Sequence, residues 1–344
     1  MKMKEWRGNL LLLVTAIIWG SAFVAQSVAA DLVGTFTFQA LRSLLGGLVL
    51  LPVVAGSAFS HRKRGVAPTG NRRALWCGGI LCGVMLCVAS CLQQGGIAYT
   101  TVGNAGFITA MYILLVPLLG MFFGKKVGSR LWICIGMAIV ALYLLSIKDG
   151  FHISRGDLLM LACALAFSVH ILLVDHFSPR VDGVQLACIQ FFVAGLLPLP
   201  LMLFFERPTV TELTAAWLPI AYAGVLSSGV GYTFQILGQK YTKPSVASLL
   251  MSLESVFAVL AAALILALVL AKRISARIVA PLNRLDLEKP LENDTYEELS
   301  PLLGRIIRQH TEIDRQLKEL RRRTDEFTQL TGSMREGLVL RDER

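Results

Sequence analysis

The sequence predicts an all-α membrane protein: an inverted-repeat helical bundle of nine transmembrane helices, followed by C-terminal helices patterned as a coiled coil. Three observations predict it. Of the 344 residues, 55% are hydrophobic and 16% charged, more apolar surface than a soluble globule can hide. Nine apolar stretches are each long enough for a hydrocarbon core of about 30 Å, which takes about 20 helical residues. Finally, a stretch of about 120 residues occurs twice, and its second copy stops one helix short.

The predicted spans are 9–28, 35–56, 74–92, 102–123, 130–147, 157–175, 184–205, 214–237 and 246–271. Helices are the open-ended way to pair every backbone group in lipid, so these spans form a helical bundle. Gly20-Ser21 continues into more apolar helix, so no cleavable signal peptide is expected.

The duplication is read from spacing. Arg42, Gly47 and Pro52 are matched at the same offsets by Gln190, Gly195 and Pro200. Gln93, Gly96, Tyr99, Thr100 and Ala105 are matched by Gln235, Gly238, Tyr241, Thr242 and Ala247. An offset of roughly 145 residues is far longer than a solenoid repeat and indicates a duplicated bundle half. Five spans in the first copy start the second on the opposite side, which inverts the halves. Inverted repeats are a common construction of secondary transporters, with the substrate site near the midplane between the halves.

The net charge of +10 is unevenly distributed. Residues 1–271 hold 18 basic and 9 acidic residues, and the last 73 hold 15 and 14. The basic loops around His61-Arg62-Lys63-Arg64, Arg72-Arg73, Lys125-Lys126 and Lys240 with Lys243 all follow even-numbered spans, so they share one side, and that side is cytoplasmic. Charge at alternate loops orients a membrane protein without building a nucleic-acid face, so no nucleic-acid partner is expected. Seven cysteines fall inside the spans and none forms a Cys-x-x-Cys pair. Cys87 and Cys91 lie one turn apart but have no histidine or further thiolate nearby in sequence, so packing is favoured over a metal site.

The matched positions Trp19-Gly20-Ser21, Arg42 through Pro52, Tyr99-Thr100 through Ala105, Gly156-Asp157 and Ser252-Leu253-Glu254 resemble the EamA-type branch of the drug/metabolite transporter superfamily over residues 8 to about 260. The resemblance implies an inner-membrane carrier or exporter of small metabolites or drugs that works without ATP, although the family has ten helices. A Gly-rich phosphate loop and a hydrolytic constellation are both missing, so neither an enzyme nor a cofactor is expected.

Charge at the bilayer centre costs about 2.5–3.5 kcal/mol on insertion scales, so each intramembrane ionisable group needs a reason. Two stand out, Arg42 and Glu254. Glu254 is the stronger functional candidate, as counter-charge or proton carrier, whereas snorkelling or helix-end pairing competes with a substrate-facing role for Arg42. The family commonly reads Glu-Pro where Ser255 follows here, so the usual helix break is expected to be absent. Repeat spacing puts Tyr112 at the position equivalent to Glu254, near the pseudo-twofold axis. Trp19, Gln26, Gln93, Asn104, His170 and Gln235 are further candidates for the same cavity, with interhelical hydrogen bonding as the alternative for each. His170 in particular fits a neutral packing residue.

The five-span copy occupies 8–148 and the four-span copy 155–260; 261–271 ends the ninth span, and no later window reaches the length of a tenth. Residues 272–327 resemble the cytoplasmic end of a membrane sensor histidine kinase: a basic exit, Pro281, a connector Asp286–Asp294, and a degenerate HAMP-like pattern. Leu299, Leu303, Ile306, His310, Ile313, Leu317, Leu320, Thr324 and Phe327 alternate by four and three, the seam of a parallel coiled coil, which implies a homodimer through 299–327. Residues 328–344 resemble the start of a PAS domain. Nine spans place this tail outside, whereas Lys272, Arg273, Arg277 and Arg284 favour the inside. A fusion of a carrier with a kinase fragment, joined between Ala258 and Leu264, accounts for the conflict; a natural carrier with a regulatory tail is the other account. The expectation is a carrier impaired by loss of its tenth helix. The alternative is a signalling fusion whose tail dimerises and relays a membrane signal, without kinase activity of its own.

Overall fold

The computed structural model describes residues 2–63, 71–125, 128–146, 154–276 and 300–342, and these are helical apart from the turns that join them. The first copy contributes α1 (Lys2–Ala30), α2 (Thr35–Lys63), α3 (Arg72–Ile97), α4 (Val102–Thr109), α5 (Tyr112–Phe122) and α6 (Ser129–Ser146). The second contributes α7 (Arg155–Phe177), then α8 (Gly183–Leu196), which continues through α9 (Leu199–Leu201) into a π-helical turn, Met202–Glu206. It goes on with α10 (Val210–Ala215), α11 (Trp217–Tyr222), a π-helical stretch Ala223–Tyr232, α12 (Thr233–Gln239), α13 (Pro244–Met251) and α14 (Glu254–Ile274). The last element is α15 (Ser300–Asp342). Met1–Ile265 forms one compact unit and Leu266–Arg344 another.

Helix starts follow from capping chemistry. Asn71 accepts from the backbone N–H groups of Arg73 and Ala74, and Asp182 from those of Val184 and Gln185. Ser154 and Asp157 form a reciprocal capping box at the start of α7. Each satisfies donors that the first turn of a helix leaves free.

Among the described residues eight helical segments are long and apolar enough to cross a membrane: Met3–Ala30, Thr35–Ser57, Arg72–Ile97, Val102–Phe122, Arg155–Phe177, Gly183–Glu206, Trp217–Gln239 and Pro244–Ile274. The chain is thus a multi-pass membrane protein. The predicted span 130–147 forms α6, an 18-residue helix that does not stand among those eight.

Contacts between the copies are reciprocal. A Cβ on Gly8 would stand 2.9 Å from the carbonyl oxygen of Gly238, and one on Gly156 would stand 2.8 Å from that of Gly96, where Gly96 and Gly238 are repeat equivalents. Thr242 donates to Asn9 Oδ1 at 3.0 Å, and its equivalent Thr100 donates to Asp157 Oδ1 at 2.9 Å. In the same way Gly47 abuts the ring of Phe192, and its equivalent Gly195 abuts Leu44. Small residues let backbones approach at these places, which supplies the dispersion contacts that hold helices together in lipid.

Besides the turn at Leu197-Pro198 within Gly183–Glu206, two spans are broken at equivalent positions. Ala110 and Met111 separate α4 from α5; Ser252 and Leu253, each 142 residues later, separate α13 from α14. The second break corrects the expectation drawn from Ser255, that a chain without the family's proline has no interruption here. Serine hydroxyls at this break bind carbonyls. Ser252 Oγ donates to Leu249 O at 2.8 Å and Ser255 Oγ to Gly106 O at 2.6 Å, while Ser255 N bonds Ser252 O in a tight turn.

The tail also departs from expectation in part. The basic exit extends α14 as far as Ile274, and the helix crosses 258–264 without interruption. Pro281, the connector Asp286–Asp294 and Leu299 lie outside the described residues. The segment expected to open a PAS domain is instead a helical continuation of α15 through Gly332 to Asp342, with no turn at the glycine.

Candidate functional site

Both broken spans resume at a polar residue. Tyr112 begins α5 and Glu254 begins α14, so repeat-equivalent residues each open a half-helix. Their side chains meet: Tyr112 Oη donates to Glu254 Oε1 at 2.9 Å, with both residues at most 3% exposed. They line a central cavity together with Trp19, Gln26, Arg42, Gln93 and Gln235, all predicted site residues. The cavity, about 20 Å³ to the centres of water-sized spheres, holds one or two waters at roughly 10–15 Å³ each. Anything larger enters only if the cavity walls part.

Arg42 is held from its own half. Its Nε donates to Gln39 Oε1 at 2.7 Å and Nη1 to Gln26 Oε1 at 3.3 Å, with the guanidinium 5.3 Å from the centre of the Phe38 ring. Gln39 is steadied in turn by Ser43 at 3.0 Å. Among the described residues no carboxylate lies within ion-pair distance of Arg42. The second half carries Gln190 at the equivalent position, and it bonds His170 Nε2 at 3.2 Å.

His170 and Asn104 are not among the cavity-lining residues. His170 is fully buried between Gln190 and the edge of Tyr232, and its Nδ1 has no hydrogen-bond partner among the described residues. Asn104 sits in the first turn of α4, where its backbone N–H is capped by Thr101. Residues missed from sequence are Phe23, Thr109, Phe167, Ile171, Ser227 and Tyr232. Helical spacing marks several: Phe23 falls between Trp19 and Gln26 on one stripe, Thr109 precedes Tyr112 by three, and Tyr232 precedes Gln235 by three. Tyr232 packs on Trp19 at 4.5 Å between ring centres. Trp19 Nε1 and Thr15 Oγ1 reach the carbonyls of Ser227 and Gly231 in the π-helical stretch, at 3.4 and 3.2 Å. Widened helix turns of this kind occur often at functional sites.

The ends of the bundle differ. At one, the Glu206 carboxylate accepts from Phe36 N at 2.8 Å and from Thr37 N and Thr37 Oγ1 at 2.7 Å, so the second half caps α2 of the first. Gly34 lies against that carboxylate and has no room for a Cβ. Beside it Ala29, Val33, Phe38, Ala216, Ile220 and Ala223 form an apolar seal. At the other end Lys125 pairs with Asp175 beside a separate open pocket of about 810 Å³, lined also by Lys240, Lys243 and Tyr241.

The model of the EamA-like transporter family matches twice, at residues 6–147 and 154–276. The second match runs through 258–264, the segment expected to hold a junction. A protein of Archaeoglobus fulgidus described as an uncharacterized transporter is 32% identical over 270 residues, 78% of this chain and 81% of the relative. A solved crystal structure superposes with a TM-score of 0.59 at 21% identity, over 80% of this chain and 98% of that one, a likeness of fold. The chain belongs to the EamA-like transporter family.

Proposed function

We propose that the chain is a secondary carrier of the inner membrane that moves small metabolites or drugs through the cavity between two inverted halves, with α6 as the fifth of nine spans and the basic pocket facing the cytoplasm. The observation that carries this reading is the pair of equivalent helix breaks whose first residues, Tyr112 and Glu254, bond each other across the cavity. Discontinuous helices meeting at the repeat interface are where carriers of this type hold cargo and coupling ions. Glu254 acts as counter-charge or proton carrier, Tyr112 holds it between the halves, and Arg42, Trp19, Gln26, Gln93 and Gln235 form the rest of the wall. The role is that of a carrier and not of an enzyme. Among the described residues no helix after α14 is apolar enough to cross a membrane; on this reading the second half lacks a counterpart of α6, and transport is impaired. Efflux from cells expressing this chain, beside a chain carrying a restored tenth span, tests both statements. Equal efflux removes the impairment; no efflux from either removes the carrier reading.

A second reading concerns α15. Ile313, Leu317, Leu320 and Phe327 stand exposed along one seam, whereas the ion pairs Glu312–Arg315, Glu319–Arg323 and Arg322–Glu326 are spaced on other faces of the helix. A helix of 43 residues with this pattern is built to pair with a second copy in parallel, and the pair would relay changes in the bundle. Disulfide crosslinking of Leu317→Cys in native membranes should give a dimer; a monomer only removes this reading.

A further inference from the structure

Resting on the carrier reading, we propose that the cargo bears a carboxylate and that Arg42 is its receptor. A guanidinium has five N–H donors in a planar fork and cannot shed its charge in a protein. Gln39 and Gln26 take one donor on Nε and one on Nη1, leaving the remaining donors, including both on Nη2, without a protein partner among the described residues. The residue is 3% exposed and lines the cavity. Two amide oxygens and a ring face orient the group without neutralising it. A structural arginine at this depth would be matched by a carboxylate from a neighbouring helix, since an isolated buried charge is costly. Here the nearest polar partners are neutral, so the positive charge is offered to the cavity.

Geometry makes the offer selective. The free edge of a guanidinium fits the two oxygens of a carboxylate in parallel hydrogen bonds, which a carboxamide cannot reproduce. The Glu254 carboxyl is engaged by Tyr112 from the other half. Gln235 Oε1, buried in the same wall, lacks a hydrogen-bond donor and suits an N–H of the cargo. Gln39 and Gln26 are positioning residues: they fix the plane of the fork. The second copy places Gln190 at the equivalent position and ties it to His170, so the receptor belongs to the first half alone.

The test uses the purified full-length chain and matched pairs of ligands: leucine and leucinamide, phenylalanine and phenylalaninamide, N-acetylleucine and N-acetylleucinamide. Binding is measured by calorimetry and by thermal stabilisation. The proposal expects a carboxylate member to bind the native chain at least about tenfold more tightly than its carboxamide, a preference abolished by Arg42→Gln and reduced by Arg42→Lys, which keeps the charge but not the fork. Should Arg42→Gln fail to fold, Arg42→Lys and Gln39→Leu still read the loss of preference. Equal binding within every pair, no binding of any carboxylate, or a preference that survives Arg42→Gln overturns the proposal. Failure of the carrier reading is distinguishable. A native chain that exports carboxamides or amines, unaffected by Arg42→Gln, remains a carrier whose Arg42 is structural, whereas a chain that binds no ligand and exports none loses both readings.

Discussion

Glu254 and Tyr112 show how far one residue can be read from sequence in a duplicated chain. Their equal places in the two copies put both near the repeat axis, and in the structure their side chains bond at 2.9 Å. Replacing Tyr112 by Phe removes the donor from a buried carboxyl, and a typical intramolecular hydrogen bond contributes about 0.5–1.5 kcal/mol net. The Tyr112→Phe chain should therefore unfold earlier on heating. Glu254→Gln keeps an acceptor for Tyr112, so it should retain thermal stability and lose efflux. An equally active Glu254→Gln would remove the carboxyl from the mechanism. His170 shows the limit of such reading, because a polar residue within an apolar run looks the same in sequence whether it meets cargo or a neighbouring glutamine. Tyr232 shows the converse. Only its spacing of three from Gln235 set this tyrosine apart from the other aromatics, and in the structure it ends the π-helical stretch and packs on Trp19.

Spans were legible as elements because length and apolarity report them directly, and the capping residues Asn71, Ser154 and Asp182 mark helix starts in the chain itself. The breaks were not. Neither Ala110-Met111 nor Ser252-Leu253 contains the glycine or proline that announces an interruption, and the bond that steadies the second comes from another span, at Gly106. Reciprocal glycines allow a comparison between equivalent sites. A Cβ at Gly195 would lie 2.9 Å from the backbone nitrogen of Leu44, which cannot yield, whereas one at Gly47 would meet the edge of the Phe192 ring at 3.2 Å, which can turn. Overpacking costs typically 1–3 kcal/mol, so Gly195→Ala should lower the thermal midpoint more than Gly47→Ala. The reverse order would mean that α2 and α8 do not approach as described.

For the whole molecule, the carrier class was legible because the duplication, the odd span count and the basic loops agree, and the family match covers both copies. The end of the chain was less so, because the coiled-coil pattern is local while the expected PAS start rested on a few residues that the structure continues as helix. With α6 counted as a span and the basic loops inside, the proposed topology puts residues 285–344 outside. Basic residues within about 15 of a span resist translocation, but eight preceding spans are each fixed by their own loops. A membrane-impermeant thiol reagent should label Ser300→Cys in intact cells; labelling only after permeabilisation would show that the ninth segment fails to cross. The central claim is that the cavity between the halves is a path reached in turn from both sides. Its most direct test is a cysteine at Thr109, in the cavity wall, in a chain whose seven native cysteines are replaced, treated with an impermeant thiol reagent from each face of the membrane. Labelling is expected from both faces, and a crosslink between cysteines at Thr37 and Glu206, which locks the seal between the halves, should abolish it from the outer face alone. Labelling from neither face, or outer labelling unchanged by the crosslink, would contradict the account.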